Sequence, residues 1–316
     1  MQFNQKHLLG LEDLTEGQIT QILDTADNFK EVLGRKIKKV PALRGVTIAN
    51  VFYEPSTRTK MSFELAEKRL SADIINFSKA TSSVKKGETL RDTLENIKAM
   101  KVDIVVMRHE SSGAHRFASE FLDCSIVNAG DGQHAHPTQG LLDMMTLRER
   151  WGTLRGKKVT IIGDIMHSRV ARSNIWGLTK MGVEVTVCGP PTMMPVEVAK
   201  LGEGGVKLEY DLRKAISGAD AINILRIQLE RQKSKLFPSM REYFEVFGVS
   251  CDVLKSAPEG CLVLHPGPMN RGVEIAQEVA DGDQSVILPQ VANGVAVRMA
   301  VLFLIAGGTV EGDELN

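Results

Sequence analysis

The sequence predicts an α/β protein of two domains, each a parallel sheet flanked by helices. Three observations predict it. Short apolar, β-branched runs alternate with amphipathic stretches of helical period. The alternation breaks around Trp151 and restarts at Lys158. The last apolar stretch, 291–307, carries almost no charge and has the character of a helix buried on most sides. Repeated strand–helix units argue for parallel sheets covered on both faces. A chain of 316 residues suffices for two domains of ordinary size, and 43% hydrophobic with 25% charged residues leaves a sizeable core.

The elements follow in order. Thr15 and Gln18 offer a capping box for a helix within 11–33, with Ile19, Ile22, Leu23, Ala26, Phe29 and Leu33 on its apolar face. The basic connector 36–39 reads as solvated. Residues 46–52 read as a buried strand, and 60–70 as a helix with Met61, Phe63, Leu65, Ala66 and Leu70 on its apolar side. Strands at 73–77, 103–108 and 125–129 alternate with helices that carry Leu90, Leu94 and Ile97, then 114–122, then Leu141 to Arg150. In the second half, strands are expected at 158–163, 183–188, 206–210, 221–225 and 261–265, and a helix at 170–181.

Charge and cysteine usage exclude several classes. Lysine plus arginine and aspartate plus glutamate number 39 each, so no long-range field draws nucleic acid. Cys124, Cys188, Cys251 and Cys261 form no close metal-ligand pair and read as buried free thiols of a reducing compartment. The first residues lack a signal peptide's apolar core, and no apolar run approaches the length of a membrane span. The expectation is a cytoplasmic protein with no membrane partner.

The chain is organised around residues 52–59. Pro55 disfavours helical geometry at Glu54, so the helix begins after it, with Ser56 or Thr57 as a natural N-cap. Strand, tight turn and helix then bring hydroxyls and one guanidinium to the positive end of a helix dipole, where free N–H groups favour phosphate. The hydroxyls alone fit an ordinary cap. Arg58 does not, because a cation in the first turn opposes the dipole; it makes sense beside a dianion.

Other marked residues fall at strand ends, where open parallel sheets bind ligands. Arg108 closes its strand, as an exposed terminus or as a ligand. The turn 131–139 carries His134 and His136. Residues two apart in an extended turn point to opposite sides, and no cysteine or carboxylate completes a metal set, so no metal is expected. The loop 78–88, with Ser82 and Lys86, reads by default as a mobile surface loop. Gly163 lacks the other two glycines of a dinucleotide-binding turn. Arg169 again opposes a helix dipole and so points to an anion. Arg226 and Gln228 follow a strand. Arginine suits a carboxylate through its planar fork, although Glu230, Arg231, Lys233 and Lys235 also fit a charged, exposed helical segment. In the turn 265–272, Pro266 and Pro268 impose rigidity, and Gly267–Pro268 is a candidate cis peptide.

Ser56-Thr57-Arg58-Thr59 after Phe52-x-Glu54-Pro55, together with Ser62-Phe63-Glu64, His136-Pro137-Thr138-Gln139 and Arg226-x-Gln228, resembles the signatures of the aspartate and ornithine carbamoyltransferases. The resemblance spans nearly the whole chain. It implies a carbamoyl-phosphate-binding domain over 1–150, with 292–316 returning to pack on it as a C-terminal helix, and an L-aspartate-binding domain over 151–291. Carbamoyl phosphate would be held by Ser56, Thr57, Arg58, Thr59, Ser82, Arg108, His136, Gln139, Gly267 and Pro268. L-aspartate would be held by Lys86, Arg169, Arg226 and Gln228. Arg58, Thr59, Lys86, Arg108 and His136 would carry the catalysis, with no cofactor or metal. Ser82 and Lys86 match residues that reach a neighbouring subunit's site, which implies a homotrimer with shared sites.

The His-Cys-Leu-Pro turn and Ser-Met-Gly loop of ornithine-type enzymes do not occur here, which favours aspartate as acceptor and a place in pyrimidine synthesis. Gly267 stands where the best-known bacterial enzymes carry leucine, which speaks against their regulatory chain. Higher assembly with regulatory chains or a dihydroorotase stays open. The alternatives are a carbamoyltransferase with another amine acceptor such as ornithine, an oxidoreductase, and a non-catalytic anion-binding scaffold.

Overall fold

Thr15 opens the first helix. Its hydroxyl accepts from the Gln18 N–H at 3.2 Å, and Gln18 Oε1 accepts from the Thr15 N–H at 2.9 Å, which closes the box at the start of α1 (Glu16–Gly34). Ile19, Ile22, Leu23, Ala26 and Phe29 of that helix are buried, while 36–39 is exposed. The computed structural model describes residues 3–78, 88–228, 236–311 and 314–315. The chain divides into one unit formed by Met1–Leu142 with Ala292–Asn316 and a second formed by Asp143–Val291.

In the first unit β1 (Thr47–Phe52), α2 (Thr57–Leu70), β2 (Asp73–Ser78), α3 (Leu90–Ala99), β3 (Ile104–His109), α4 (Ala114–Ser119) and β4 (Ser125–Asp131) follow the predicted alternation. The strands form one parallel sheet in the order β2-β1-β3-β4. Val51, Val105 and Met107 on one face bury Leu94 and Ile97 of α3, Ala118 of α4 and Leu122 just after it. Ahead of α1, Leu8 extends the sheet: its N–H donates to Ile126 O and its carbonyl accepts from Asn128 N, each at 2.9 Å. That pairing covers the β4 edge and was not visible as a pattern in the sequence.

The chain passes from one unit to the other within α5 (Pro137–Trp151). The second unit holds β5 (Lys158–Ile162), α6 (Arg169–Lys180), β6 (Glu184–Cys188), β7 (Lys207–Glu209), α7 (Leu212–Ile216), β8 (Ala221–Ile224), α8 (Met240–Phe247), α9 (Cys251–Leu254), β9 (Leu262–Leu264) and α10 (Gln277–Ala280). Its sheet is parallel throughout, in the order β7-β6-β5-β8-β9. The short helices α7 to α10 were missed. Asp211, Ser239 and Ser250 each cap one with a side-chain oxygen, a signal the sequence does carry.

The chain returns to the first unit within α11 (Ile287–Ile305). By length and composition this 19-residue helix could cross a membrane, which corrects the expectation that no apolar run approaches that length. Most of it is buried inside the protein, and its contacts are those of a core helix. Phe303 meets Phe29 edge to face at 5.5 Å. Arg298 donates to Ser62 Oγ at 2.9 Å and to Gly294 O at 2.8 Å, and lies over the Phe63 ring. The cysteines are free, but not all buried: Cys251 is exposed, because it opens α9, a one-turn helix with no buried residue.

Helix α2 carries one buried acid on its inner face. Glu67 is fully buried and accepts from Asn50 Nδ2 of β1 at 2.8 Å. Burial, only partly offset by that bond, pushes its carboxyl from the ordinary 4.5 up to about 7. The folded state therefore favours the protonated acid. Stability tied to Glu67 is greatest below pH 4.5 and is lost as pH rises to about 7. Glu67→Gln is expected to remove that slope and to stabilise the protein at pH 8 by about 2–4 kcal/mol. Denaturant midpoints at pH 5 and pH 8 test it; the same pH dependence in both proteins would contradict it.

Candidate active site

The order of strands in each sheet marks one place where connections diverge. In the first unit the chain leaves β1 towards β2 on one side and continues from β3 to β4 on the other, so the crevice lies beyond the ends of β1 and β3. The turn 53–59 leaves β1 there, and Arg108 stands at the matching end of β3, paired in register with Phe52. The Arg108 carbonyl accepts from Tyr53 N at 2.9 Å, which ties the two strand ends together.

Ser56 occupies the N-cap position of α2 in extended geometry, as predicted, but its side chain makes no capping bond. Its hydroxyl donates instead to Thr59 Oγ1 at 2.9 Å. No acidic residue lies in the first turn, where Thr57 and Arg58 are exposed and Thr59 is buried. The first-turn N–H groups are therefore not satisfied by the side chain that would ordinarily cap them. A cation and hydroxyls surround the positive end of the dipole, an arrangement complementary to a polyanion.

Arg108 is buried, with its guanidinium held from two sides. One nitrogen donates to Ala129 O at 3.1 Å, and another meets Glu54 Oε1 at 3.3 Å. Sequence reasoning did not single out Glu54 as its partner. The next strand end delivers the turn 131–136. His136 is buried and directly precedes α5, and its carbonyl accepts from Gln139 N at 2.9 Å. Pro137 opens the helix, where a missing N–H costs nothing. Gln139 is also buried. His134, two residues earlier, is turned to carboxylates instead. Among the described residues no group of three or more His, Cys, Asp or Glu side chains could hold a metal ion.

In the second unit the connections diverge between β5 and β8. Gly163 follows β5 at φ +128°, and a Cβ there would sit 3.1 Å from Leu225 Cβ at the end of β8, so glycine is required for these ends to approach. Asp164 then fixes the loop: its Oδ1 accepts from His167 N at 3.1 Å and from His167 Nδ1 at 2.9 Å. Ser168 caps α6 through Ala171 N, and Arg169 is buried in the first turn.

Arg226 and Gln228 lie after β8, half-buried, on either side of buried Ile227. Residues 226–228 are neither helical nor exposed, while Glu230, Arg231, Lys233 and Lys235 lie outside the described residues. Ile227 is pinned at its carbonyl by Asn270 Nδ2, at 3.1 Å. Asn270 Nδ2 also donates to Glu274 Oε2 at 3.2 Å, and His265 Nε2 meets Glu274 Oε1 at the same distance. Glu274, fully buried, thus joins the Arg226–Gln228 segment to the turn carrying Gly267 and Pro268, whose peptide bond is cis. No local pattern marks this carboxylate, which lies 47 residues from Ile227. Ser82 and Lys86 lie outside the described residues.

Comparison with known proteins finds a match along each half of the chain. Residues 6–149 match the family model of the aspartate/ornithine carbamoyltransferase carbamoyl-P binding domain, and 155–305 match that of the Asp/Orn binding domain. The chain is 59% identical over 308 residues to an aspartate carbamoyltransferase catalytic subunit from Geobacter sulfurreducens, with 98% of each chain covered. It is 60% identical to one from Cytophaga hutchinsonii, over 97% of this chain and 99% of the other. Among solved structures, ornithine carbamoyltransferase from Pyrococcus furiosus superposes with a TM-score of 0.84 at 30% identity, covering 96% of this chain and 98% of that one. Aspartate transcarbamoylase from Trypanosoma cruzi in complex with N-(phosphonacetyl)-L-aspartic acid gives 0.84 at 27% identity, over 93% and 94%. The chain belongs to the aspartate/ornithine carbamoyltransferase family.

Proposed function

We propose that the protein transfers the carbamoyl group of carbamoyl phosphate to the amine of L-aspartate, giving N-carbamoyl-L-aspartate and phosphate for pyrimidine synthesis. The observation that carries this is the start of α2: a serine at the N-cap that does not cap, with Arg58 in the turn that follows. Relatives at 55–60% identity over nearly the full chain are named aspartate carbamoyltransferase catalytic subunits, which supports aspartate over ornithine as acceptor.

In this reading the phosphate lies on the N–H groups of α2, with Ser56, Thr57, Arg58 and Thr59 around it. The amine nitrogen attacks the carbonyl carbon, and negative charge builds on the carbonyl oxygen. His136, Arg108 and the Thr59 hydroxyl donate to that oxygen. The carbonyl re-forms as the bond from carbon to the phosphate oxygen breaks, the departing phosphate takes the proton that the amine nitrogen gives up, and Arg58 with the helix dipole stabilises its remaining charge. Gln139 and the carbonyls at Gly267 and Pro268 hold the carbamoyl NH2. Arg169, Arg226 and Gln228 hold the carboxylates of aspartate, for which a bidentate fork is the natural partner. Catalysis comes from positioning and from donors fixed before the charge develops.

Labelled carbamoyl phosphate offered with aspartate, ornithine and related amines tests the reaction. Product is expected with aspartate alone, and Arg58→Ala should lower turnover by roughly a hundredfold or more with the fold intact. Transfer to ornithine in place of aspartate, or near-normal turnover in the variant, would contradict the reading.

We further propose a homotrimer whose sites are completed by Ser82 and Lys86 of a neighbouring subunit, on the family resemblance of the 78–88 loop. Inactive Arg58→Ala and Lys86→Ala trimers should regain activity when their subunits are exchanged. No recovery, with exchange verified by mass, would count against shared sites.

A further inference from the structure

One cluster of charged side chains in the first unit takes no part in the chemistry above. Asp131, at the end of β4, is buried and accepts from many sides: Ala135 N at 2.9 Å, Gly113 N and Asn128 Nδ2 each at 3.0 Å, and His134 Nδ1 at 3.1 Å. His134 Nε2 faces the other way and meets Glu12 Oε1 at 2.8 Å. A neutral imidazole donates through one nitrogen only, so a ring between two carboxylates is an imidazolium. The bonds to Asp131 and Glu12, against burial, hold its pKa up to about 10. Burial would raise the Asp131 and Glu12 carboxyls, but in both the bond from His134 helps to outweigh it and leaves them below their ordinary values.

The cluster sits on a turn with no slack. Asp131 N donates to Ala135 O at 3.1 Å, so the turn closes one peptide before His136. Gly132, at φ +47°, presses against the 110–112 backbone, where a Cβ would lie 2.6 Å from Ser112 N. Behind Asp131, His115 Nδ1 lies 4.0 Å away, and its Nε2 bonds Met107 O at 2.6 Å.

Glu12 is equally constrained. Its segment is fixed to β4 by Leu8, and Asn128 Nδ2 donates to Leu9 O at 2.7 Å. Leu11 and Leu14 on either side are buried, and Asp13 pairs with Arg116 of α4 at 3.3 Å. An exposed ion pair contributes little to stability, and His134 is partly exposed. The bridge matters for what it locates.

We propose that the Glu12–His134–Asp131 bridge is a positioning device for His136, through which the segment ahead of α1 sets where that imidazole is presented. The proposal rests on the reading of His136 as a donor to the carbamoyl oxygen. A donor displaced by about 1 Å loses on the order of a hundredfold in rate, so a turn locked from both ends is what such a group requires.

Glu12→Gln tests it, since it keeps size and a hydrogen-bonding oxygen while removing one charge from His134. The bridge in the native protein persists until pH approaches about 10, because a raised histidine pKa keeps the charged form below that value. With one carboxylate gone, His134 loses its proton nearer neutrality. At saturating substrates the alkaline fall in kcat should therefore move to lower pH, with kcat at pH 9 reduced about fivefold or more and KM for carbamoyl phosphate little changed. His134→Ala should lower kcat about tenfold without that pH dependence. Circular dichroism reports folding, and His136→Ala reports the underlying reading. A purely structural role would lower the thermal midpoint and leave kcat and its pH profile as they are. Wild-type kcat and profile in Glu12→Gln, with His136→Ala inactive, would overturn the positioning role alone. Near-normal kcat in His136→Ala would overturn both readings.

Discussion

The start of α2 sets a requirement that the rest of the first unit meets. A helix exposes unsatisfied N–H groups at its first turn, and a serine at the N-cap ordinarily takes one of them. Here Ser56 gives its hydroxyl to Thr59, and the first turn carries Arg58 in place of an acid. Both choices sacrifice stability in the absence of an anion and gain it in its presence. The sheet supplies the location, because β1 and β3 lie side by side where the chain connections diverge, and Arg108 arrives there without any further design.

Buried carboxylates hold three of the turns that follow strands and one helix. Asp131 gathers N–H groups and His134 at the end of β4. Asp164 holds His167 after β5. Glu274 joins the turn after β9 to the segment after β8. Asp143 in α5 accepts from Asn174 at 2.7 Å, Asn223 at 3.2 Å and Gln290 at 2.6 Å, all within the second unit. An acid buried alone would be costly; one that accepts several bonds in a low dielectric fixes its donors strongly. Among the described residues, the turns after β4, β5 and β9 are held in this way by a buried acid.

The strands and long helices were legible in the sequence because each is a local pattern: Thr47–Phe52 is a β-branched run, and Thr15 with Gln18 is a capping box. The candidate anion-binding arginines stood out in the sequence because arginines at helix starts violate a local rule, as Arg58 and Arg169 do. What was hidden depends on partners far away in the chain. Leu8 pairs with β4 across 118 residues or more, and Glu274 reaches Ile227 across 47. Glu54 reads as an ordinary acid before a proline until Arg108 is placed beside it. Cys251 was misjudged because an apolar neighbourhood in sequence does not say which side of a one-turn helix meets solvent.

The account stands on the anion at the start of α2. A crystal structure with a mimic that joins a phosphonate to L-aspartate tests this most directly. The phosphonate oxygens should lie about 3 Å from the first-turn N–H groups of α2 and from the Arg58 guanidinium. A phosphonate bound elsewhere, with Arg58 directed into solvent, would contradict it.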